Sequence, residues 1–193
     1  MKAKLYFYYG AMGSTKSAQL LTTNFNYNEK NMKTLLMTSK IDTRFSEGII
    51  QSRIGIKAKV DLIIDKSTNI LKFTVDKLSD SVVDVILVDE IQFLQPKQID
   101  QLSDIVDILN IPVLCYGLRA DFKSKFFPAS KRLMEIADTI SEIKTMCHCG
   151  KKATFTARVV NDKVTKKGEQ VLVGGNESYI SLCRKCWKLG RLK

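Results

Sequence analysis

The chain has 193 residues, 45% of them hydrophobic, and carries a formal net charge of +11. This is material for one medium domain with a small appendage, which excludes a disordered chain, and no apolar run reaches the roughly 18–20 residues that cross a bilayer. Five cysteines, an odd count, argue against a secreted disulfide framework, and the N-terminus lacks the apolar region of a signal peptide, so a cytoplasmic location is expected. In chain order, the apolar run 5–9 reads as a strand that delivers a turn of small residues, Gly10 to Ser17, to a helix expected over Lys16 to Glu29. A second strand is expected over Thr34 to Thr38, and a helix over Ile70 to Leu78. Strands at Val85 to Val88 and Val113 to Tyr116 bracket a further helix, which begins at Pro96 and runs to Leu109 before Pro112 forbids extension. These short strands are apolar enough to be buried on both faces, and their alternation with helical patterns predicts an α/β fold, a parallel sheet flanked by helices.

Two stretches, Ser39 to Ile56 and Gly117 to Pro128, carry no periodicity and read as long polar loops of the kind that build sites at strand ends. After Ile143 the pattern changes to β-like runs at Ala153 to Val160, Gln170 to Val173 and Tyr179 to Leu182, broken by Lys/Gly turns. A boundary near residue 143 is therefore expected, dividing a larger α/β domain (1–143) from a small β-rich C-terminal lobe (144–193). Charge divides in the same place: from Thr139 onward there are 12 Lys/Arg against 4 Asp/Glu, while the first 138 residues hold 19 against 16. Solvated lysines account for such a surplus more simply than a nucleic-acid footprint does.

Gly10-Ala11-Met12-Gly13-Ser14-Thr15-Lys16-Ser17 follows the phosphate-loop pattern G-x-x-x-x-G-K-S/T with one departure, Thr15 at the second glycine, so residues 1–143 read as a P-loop NTPase-like, nucleotide-binding α/β domain. Backbone amides and the helix dipole would face an anion there, with Lys16 reaching the β- and γ-phosphates and Ser17 ligating Mg²⁺. Threonine adds a side chain where the loop must curl, at a backbone angle that a β-branched residue resists. Val85-Ile86-Leu87-Val88-Asp89-Glu90 is an apolar strand ending in two carboxylates. Asp89 would approach the same Mg²⁺ as Ser17, leaving Glu90 to accept a proton from water, in an ATPase, or from a substrate hydroxyl, in a kinase. His148 is the only histidine, so any acid–base step near neutral pH falls to another group.

Cys147-His148-Cys149 and Cys183-Arg184-Lys185-Cys186 are two close pairs with 33 residues between them. Four thiolates complete a closed tetrahedral zinc site, a structural staple for the lobe, with His148 a bystander. Cys115, inside an expected strand, reads as core.

Taken together these residues resemble the cellular-type (type II) thymidine kinases, in particular the bacterial branch. The resemblance rests on the loop Gly10 to Ser17, Ile41-Asp42-Thr43-Arg44, Ser52-Arg53-Ile54-Gly55 and Asp89-Glu90-Ile91-Gln92-Phe93. It continues through Gly117-Leu118-Arg119-Ala120-Asp121-Phe122, the cysteine pairs and Val173-Gly174-Gly175-Asn176-Glu177-Ser178-Tyr179. It implies transfer of the γ-phosphate of ATP to the 5′-hydroxyl of thymidine, giving dTMP, with Glu90 as the catalytic carboxylate, Lys16 on the phosphates and Arg44 near the transferring group. Residues 10–17 and Asp89, Glu90, Ile91 and Gln92 would bind Mg-ATP. Met12, Phe93, Leu118, Phe122, Phe127 and Tyr179 would surround the thymine ring, and a loop including Leu172, Val173, Gly174 and Gly175 would close over the nucleoside. A homotetramer with dTTP as feedback inhibitor is further implied; from composition, no membrane partner is expected and a nucleic-acid partner is disfavoured. The chain departs from the family at Thr15 and at Cys186, where some bacterial relatives use histidine. Two alternatives stay open on the residues alone: a basic P-loop ATPase whose zinc lobe grips nucleic acid, and a homologue weakened in catalysis through Thr15.

Overall fold

The computed structural model describes residues 2–41, 48–170 and 178–193. Arg44, Leu172, Val173, Gly174 and Gly175 lie outside them. The chain begins with strand β1 (Leu5–Tyr9), helix α1 (Lys16–Glu29) and β2 (Thr34–Ser39). Three short strands follow, β3 (Ile49–Gln51), β4 (Lys57–Lys59) and β5 (Leu62–Ile64), then α2 (Ile70–Asp80) and β6 (Val85–Asp89). A 3₁₀ turn over Ile91–Phe93 leads to α3 (Pro96–Leu109), β7 (Val113–Gly117), α4 (Pro128–Ile136) and β8 (Thr139–Glu142). The remainder comprises β9 (Thr145–Met146), β10 (Lys152–Ala153), β11 (Phe155–Val160), β12 (Lys163–Thr165), β13 (Ser178–Leu182) and α5 (Arg184–Leu189).

Six strands pair in parallel in the order β5-β2-β6-β7-β1-β8. The sequence-expected helices α1 and α3 have the bounds anticipated, because apolar spacing and proline punctuation mark them locally. Helix α2 extends two residues beyond the expected end, to Asp80. Strands β6 and β7 are buried on both faces as anticipated, whereas Tyr6, Tyr8 and Tyr9 of β1 are only half-buried. Two apolar clusters sandwich the sheet. One joins Leu35, Met37, Ile86 and Val88 to α3 and α4; the other joins Leu36, Val85, Leu87 and Leu114 to Leu20 and Leu21 of α1. Burying both faces in this way holds the parallel sheet together and leaves its C-terminal edge for loops.

Strand β8 pairs with the outer edge of β1, although its sequence, Thr-Ile-Ser-Glu, has no apolar run to announce it. Within the unassigned stretch 39–56, β3 forms a hairpin with β4 through Ser52–Ile56. The expected run 153–160 is broken at Thr154 into the ends of two strands, and of the run Gln170 to Val173 only Gln170 is described, at a bend. The C-terminal lobe is the antiparallel sheet β12-β11-β13, the β9–β10 hairpin and α5, packed around Cys147, Ala153, Ala157, Leu182, Cys183 and Cys186. Trp187 of α5 fastens this lobe to the loop after β7: its indole Nε1 donates to the Phe122 carbonyl at 3.0 Å.

Candidate active site

The turn from β1 into α1 is made possible by Gly10, where a Cβ would fall 2.2 Å from Ser14 Oγ and 2.6 Å from the Ile143 carbonyl oxygen. Lys16 is buried, and its ammonium donates to the carbonyls of Ala11 at 3.0 Å and Gly10 at 3.3 Å. Gly13 has φ +76°, and Thr15, directly before α1, has φ +63°. The left-handed conformation expected to trouble a β-branched residue is therefore present, at a strain of about 1–2 kcal/mol.

Helix α1 crosses over β6 and β7, which brings its first turn above the end of β6. There the Ser17 hydroxyl donates to Asp89 Oδ2 at 2.7 Å, and the Glu90 amide donates to Asp89 Oδ1 at 3.0 Å. Glu90, 5% exposed, also adopts a left-handed backbone, φ 52°, which turns the chain from β6 into the 3₁₀ turn. Its carboxylate Oε2 accepts a hydrogen bond from Gln92 Nε2, while Gln92 Oε1 accepts the Leu118 amide at 2.9 Å. Gln92 thus ties the Glu90 carboxylate to the loop after β7. Gly117 makes room for this: a Cβ there would lie 2.5 Å from Gln92 Oε1.

A cleft runs along the loop, lined by Met12 to Ala18, Glu90, Leu118 and the hairpin residues Gln51 to Ile54. Eight of the sequence-predicted site residues meet in it: Met12, Gly13, Ser14, Thr15, Lys16, Ser17, Glu90 and Leu118. Asp89 and Gln92 support it from behind, and Gly10 and Ala11 face a smaller hollow beside Arg119 and Asp121. Ile91 is a core residue, its side chain packed with Val88 and Ile99, so only its backbone is available to a nucleotide.

The aromatic residues stand apart from the walls of this cleft. Phe93 and Phe127 meet edge to face at 6.2 Å, and Phe127 directly precedes α4. Phe122, 1% exposed, lies under the guanidinium of Arg158, and Tyr179 accepts a hydrogen bond from Arg158 Nε at 2.9 Å.

Several residues missed in the sequence connect the lobe to the loop. The Met12 amide donates to Thr156 Oγ1 at 3.1 Å, and the Ser181 hydroxyl donates to the Met12 carbonyl. Thr156 and Ser181 are direct partners on β11 and β13. Nothing in their spacing signals this contact, since it depends on how the lobe docks. Thr38 was missed as well: its hydroxyl is fully buried and has no hydrogen-bond partner among the described residues. It stands opposite Asp89 in the β2–β6 register. Two residues before it on β2, Leu36 packs with Leu20 and Leu21 of α1, so Thr38 lies on the sheet face that carries Ser17 and Asp89. An orphaned hydroxyl beside a Ser–Asp pair suits a hydrated cation, whose bound waters supply the missing partner.

The Sγ atoms of Cys147, Cys149, Cys183 and Cys186 lie within 4.8 Å of one another, with Cys149 and Cys183 at 3.6 Å. A tetrahedral thiolate site with bonds of about 2.3 Å has sulfur–sulfur edges of about 3.8 Å, so the four are spaced to hold a metal ion. The Cys186 backbone amide is the main influence drawing the Cys183 thiol down to about 7, while burial pushes Cys186 up to about 12. His148 Nε2 sits 3.5 Å from Cys186 Sγ, beside the cluster.

No helix among the described residues is long and apolar enough to cross a membrane. The thymidine kinase family model matches residues 3–187. A thymidine kinase of Mannheimia succiniciproducens is 50% identical over 184 residues, spanning 94% of this chain and 93% of the relative. One from Yersinia pseudotuberculosis is 46% identical over 187 residues (96% and 95%), and one from Haemophilus influenzae 48% over 188 (96% of each). With a phosphate loop, a Ser17–Asp89–Glu90 cluster and a four-cysteine lobe on a parallel α/β sheet, and with relatives at this identity along nearly its whole length, the chain belongs to the thymidine kinase family of phosphotransferases.

Proposed function

We propose that the chain transfers the γ-phosphate of ATP to the 5′-hydroxyl of thymidine, giving dTMP and ADP, with Glu90 as general base. One observation carries the reading: Ser17, Asp89 and Glu90 form a continuous cluster at the mouth of β6, and Glu90 opens on the cleft that the phosphate loop lines. The loop amides and Lys16 bind the triphosphate, and Lys16 exchanges its two carbonyl partners for phosphate oxygens. Ser17 and Asp89 hold Mg²⁺, with Thr38 bonding to its hydration shell; when bound, the ion neutralises charge on the phosphates.

Glu90 takes the proton of the 5′-hydroxyl as that oxygen forms its bond to the γ-phosphorus. The bond from phosphorus to the β–γ bridging oxygen breaks, and ADP leaves with the electron pair. Gln92 keeps the Glu90 carboxylate aimed into the cleft. Arg44, assigned by resemblance, stabilises the charge spread over the transferring group. Met12 and Leu118 bound the nucleoside from the cleft side, and Phe93, Phe122, Phe127 and Tyr179 enclose the base. Residues 172–175 belong to the covering loop.

The labour is divided between residues 1–143, which bind ATP, and 144–193, the lobe whose four cysteines hold structural zinc. A homotetramer and inhibition by dTTP belong to the same reading, and a sizing column and a dTTP titration test them. The decisive experiment is Glu90→Gln, which keeps the Gln92 contact but removes the base. Thymidine phosphorylation with Mg-ATP is expected to fall at least about a hundredfold with the melting temperature preserved. Wild-type turnover in that variant refutes the role of Glu90.

A further inference from the structure

Among the described residues, the largest fully buried side chain is a cation. Arg158 on β11 is 1% exposed, and the desolvation of its guanidinium costs several kcal/mol that an apolar residue of the same length would avoid. Its contacts account for its presence. The guanidinium carbon stands 3.7 Å from the centroid of Phe122 and 5.4 Å from that of Tyr179. In the guanidinium plane, Nε donates to Tyr179 Oη at 2.9 Å and Nη2 to the Glu169 carbonyl at 3.0 Å. A planar fork can stack on one ring while donating along its edge to two acceptors; an ammonium cannot.

The position of Arg158 in the small sheet links these contacts to the reaction. Thr156 and Arg158 are two residues apart on β11, and their register partners Ser181 and Tyr179 are two apart on β13. Side chains at this spacing share a face. One half of that face grips Met12 of the phosphate loop through Thr156 and Ser181. The other half consists of Arg158 and Tyr179 pressed on Phe122, two of the aromatic residues assigned to the base.

We infer that Arg158 is a positioning residue for the nucleoside: by stacking on Phe122 and bonding Tyr179 it sets the separation and tilt of the two rings that enclose the base. This rests on the reading of the chain as a thymidine kinase. In this role Arg158 acts through the two rings and not on the phosphates or the 5′-hydroxyl of the nucleoside, so its loss is felt in binding of the nucleoside and not in the chemical step.

The test is steady-state kinetics of Arg158→Lys and Tyr179→Phe with thymidine and ATP varied separately, alongside metal content and melting temperature. In Arg158→Lys the KM for thymidine is expected to rise about tenfold, with kcat and the KM for ATP within about twofold of wild type. Tyr179→Phe keeps the ring and removes the acceptor, so it raises the thymidine KM in the same direction, and the double variant is no worse than Arg158→Lys alone. Should Arg158→Lys fail to fold, Tyr179→Phe carries the same KM test. Overturning results are an unchanged thymidine KM in the folded variants, parallel rises in both KM values, or a KM increase that tracks lost metal. A wild-type protein that phosphorylates no thymidine overturns the underlying reading and this inference with it, and the wild-type assay alone distinguishes that case.

Discussion

Thr156 and Ser181 face each other across β11 and β13 and between them hold both backbone polar groups of Met12, the third residue of the phosphate loop. The loop is therefore anchored at its two ends by β1 and α1 and on its flank by the C-terminal lobe. Each contact is a hydrogen bond whose loss costs about 1 kcal/mol, or about fivefold in an equilibrium. Thr156→Val and Ser181→Ala are each expected to raise the KM for ATP by about that factor, with the double variant short of the product because both act on one residue. An unchanged ATP KM in the double variant refutes the anchoring.

Thr15 holds a left-handed backbone, φ +63°, while its side chain is exposed and bonds only the neighbouring Ser14 carbonyl. Relief of about 1–2 kcal/mol of strain outweighs the roughly 0.5–1 kcal/mol by which glycine loosens the unfolded chain. Thr15→Gly is expected to stabilise the protein by up to about 1 kcal/mol in denaturant unfolding, and Thr15→Val, which keeps the branching, to give no gain. Destabilisation by glycine counts against strain at this position.

Thr38 carries a buried hydroxyl with no partner among the described residues, beside the Ser17–Asp89 pair. Replacing it by isosteric valine removes a desolvation cost of about 1–3 kcal/mol. In thermal melts without nucleotide, Thr38→Val is expected to unfold a few degrees above wild type, at about 2–4 °C per kcal/mol for a chain of this size. With Mg-ATP the advantage narrows, because the wild-type hydroxyl then bonds the hydrated ion. An equal advantage in both conditions removes Thr38 from the cation site.

The lobe core consists of Cys147, Cys183 and Cys186 with Ala153, Ala157 and Leu182, and Val164, Ile180 and Trp187 pack against it. On the proposed reading, in which the four cysteines hold zinc, the bound ion adds the stability that so small a core lacks. Chelation, or Cys147→Ser, is expected to release the ion and expose Trp187, whose indole is stacked on Phe155 at 4.9 Å. The observable is a red-shifted tryptophan emission accompanied by a raised KM for ATP, since Met12 loses its anchors. Unchanged emission and KM in a metal-free protein exclude the coupling.

Local order in the chain was sufficient to read the alternation of β1, α1, β2, β6, α3 and β7, together with the phosphate loop, the Asp89-Glu90 pair and the two cysteine pairs as candidates. Each is written within a few consecutive residues: an apolar run, a proline at Pro96 or Pro112, a glycine where the backbone must turn, cysteines one or two residues apart. Tertiary structure decided the rest. Polar Thr139–Glu142 becomes a strand only because the edge of β1 has open hydrogen-bonding groups to pair with. Ile91 goes to the core while Gln92 turns to Glu90, a division that the 3₁₀ turn imposes. Met12 meets Thr156, Arg158 meets Phe122, and Thr38 stands beside Asp89 only through strand register and docking of the lobe. Hydrophobic spacing along a chain specifies which face of an element is buried, but not what that face meets; that is set by the packing of elements remote in sequence.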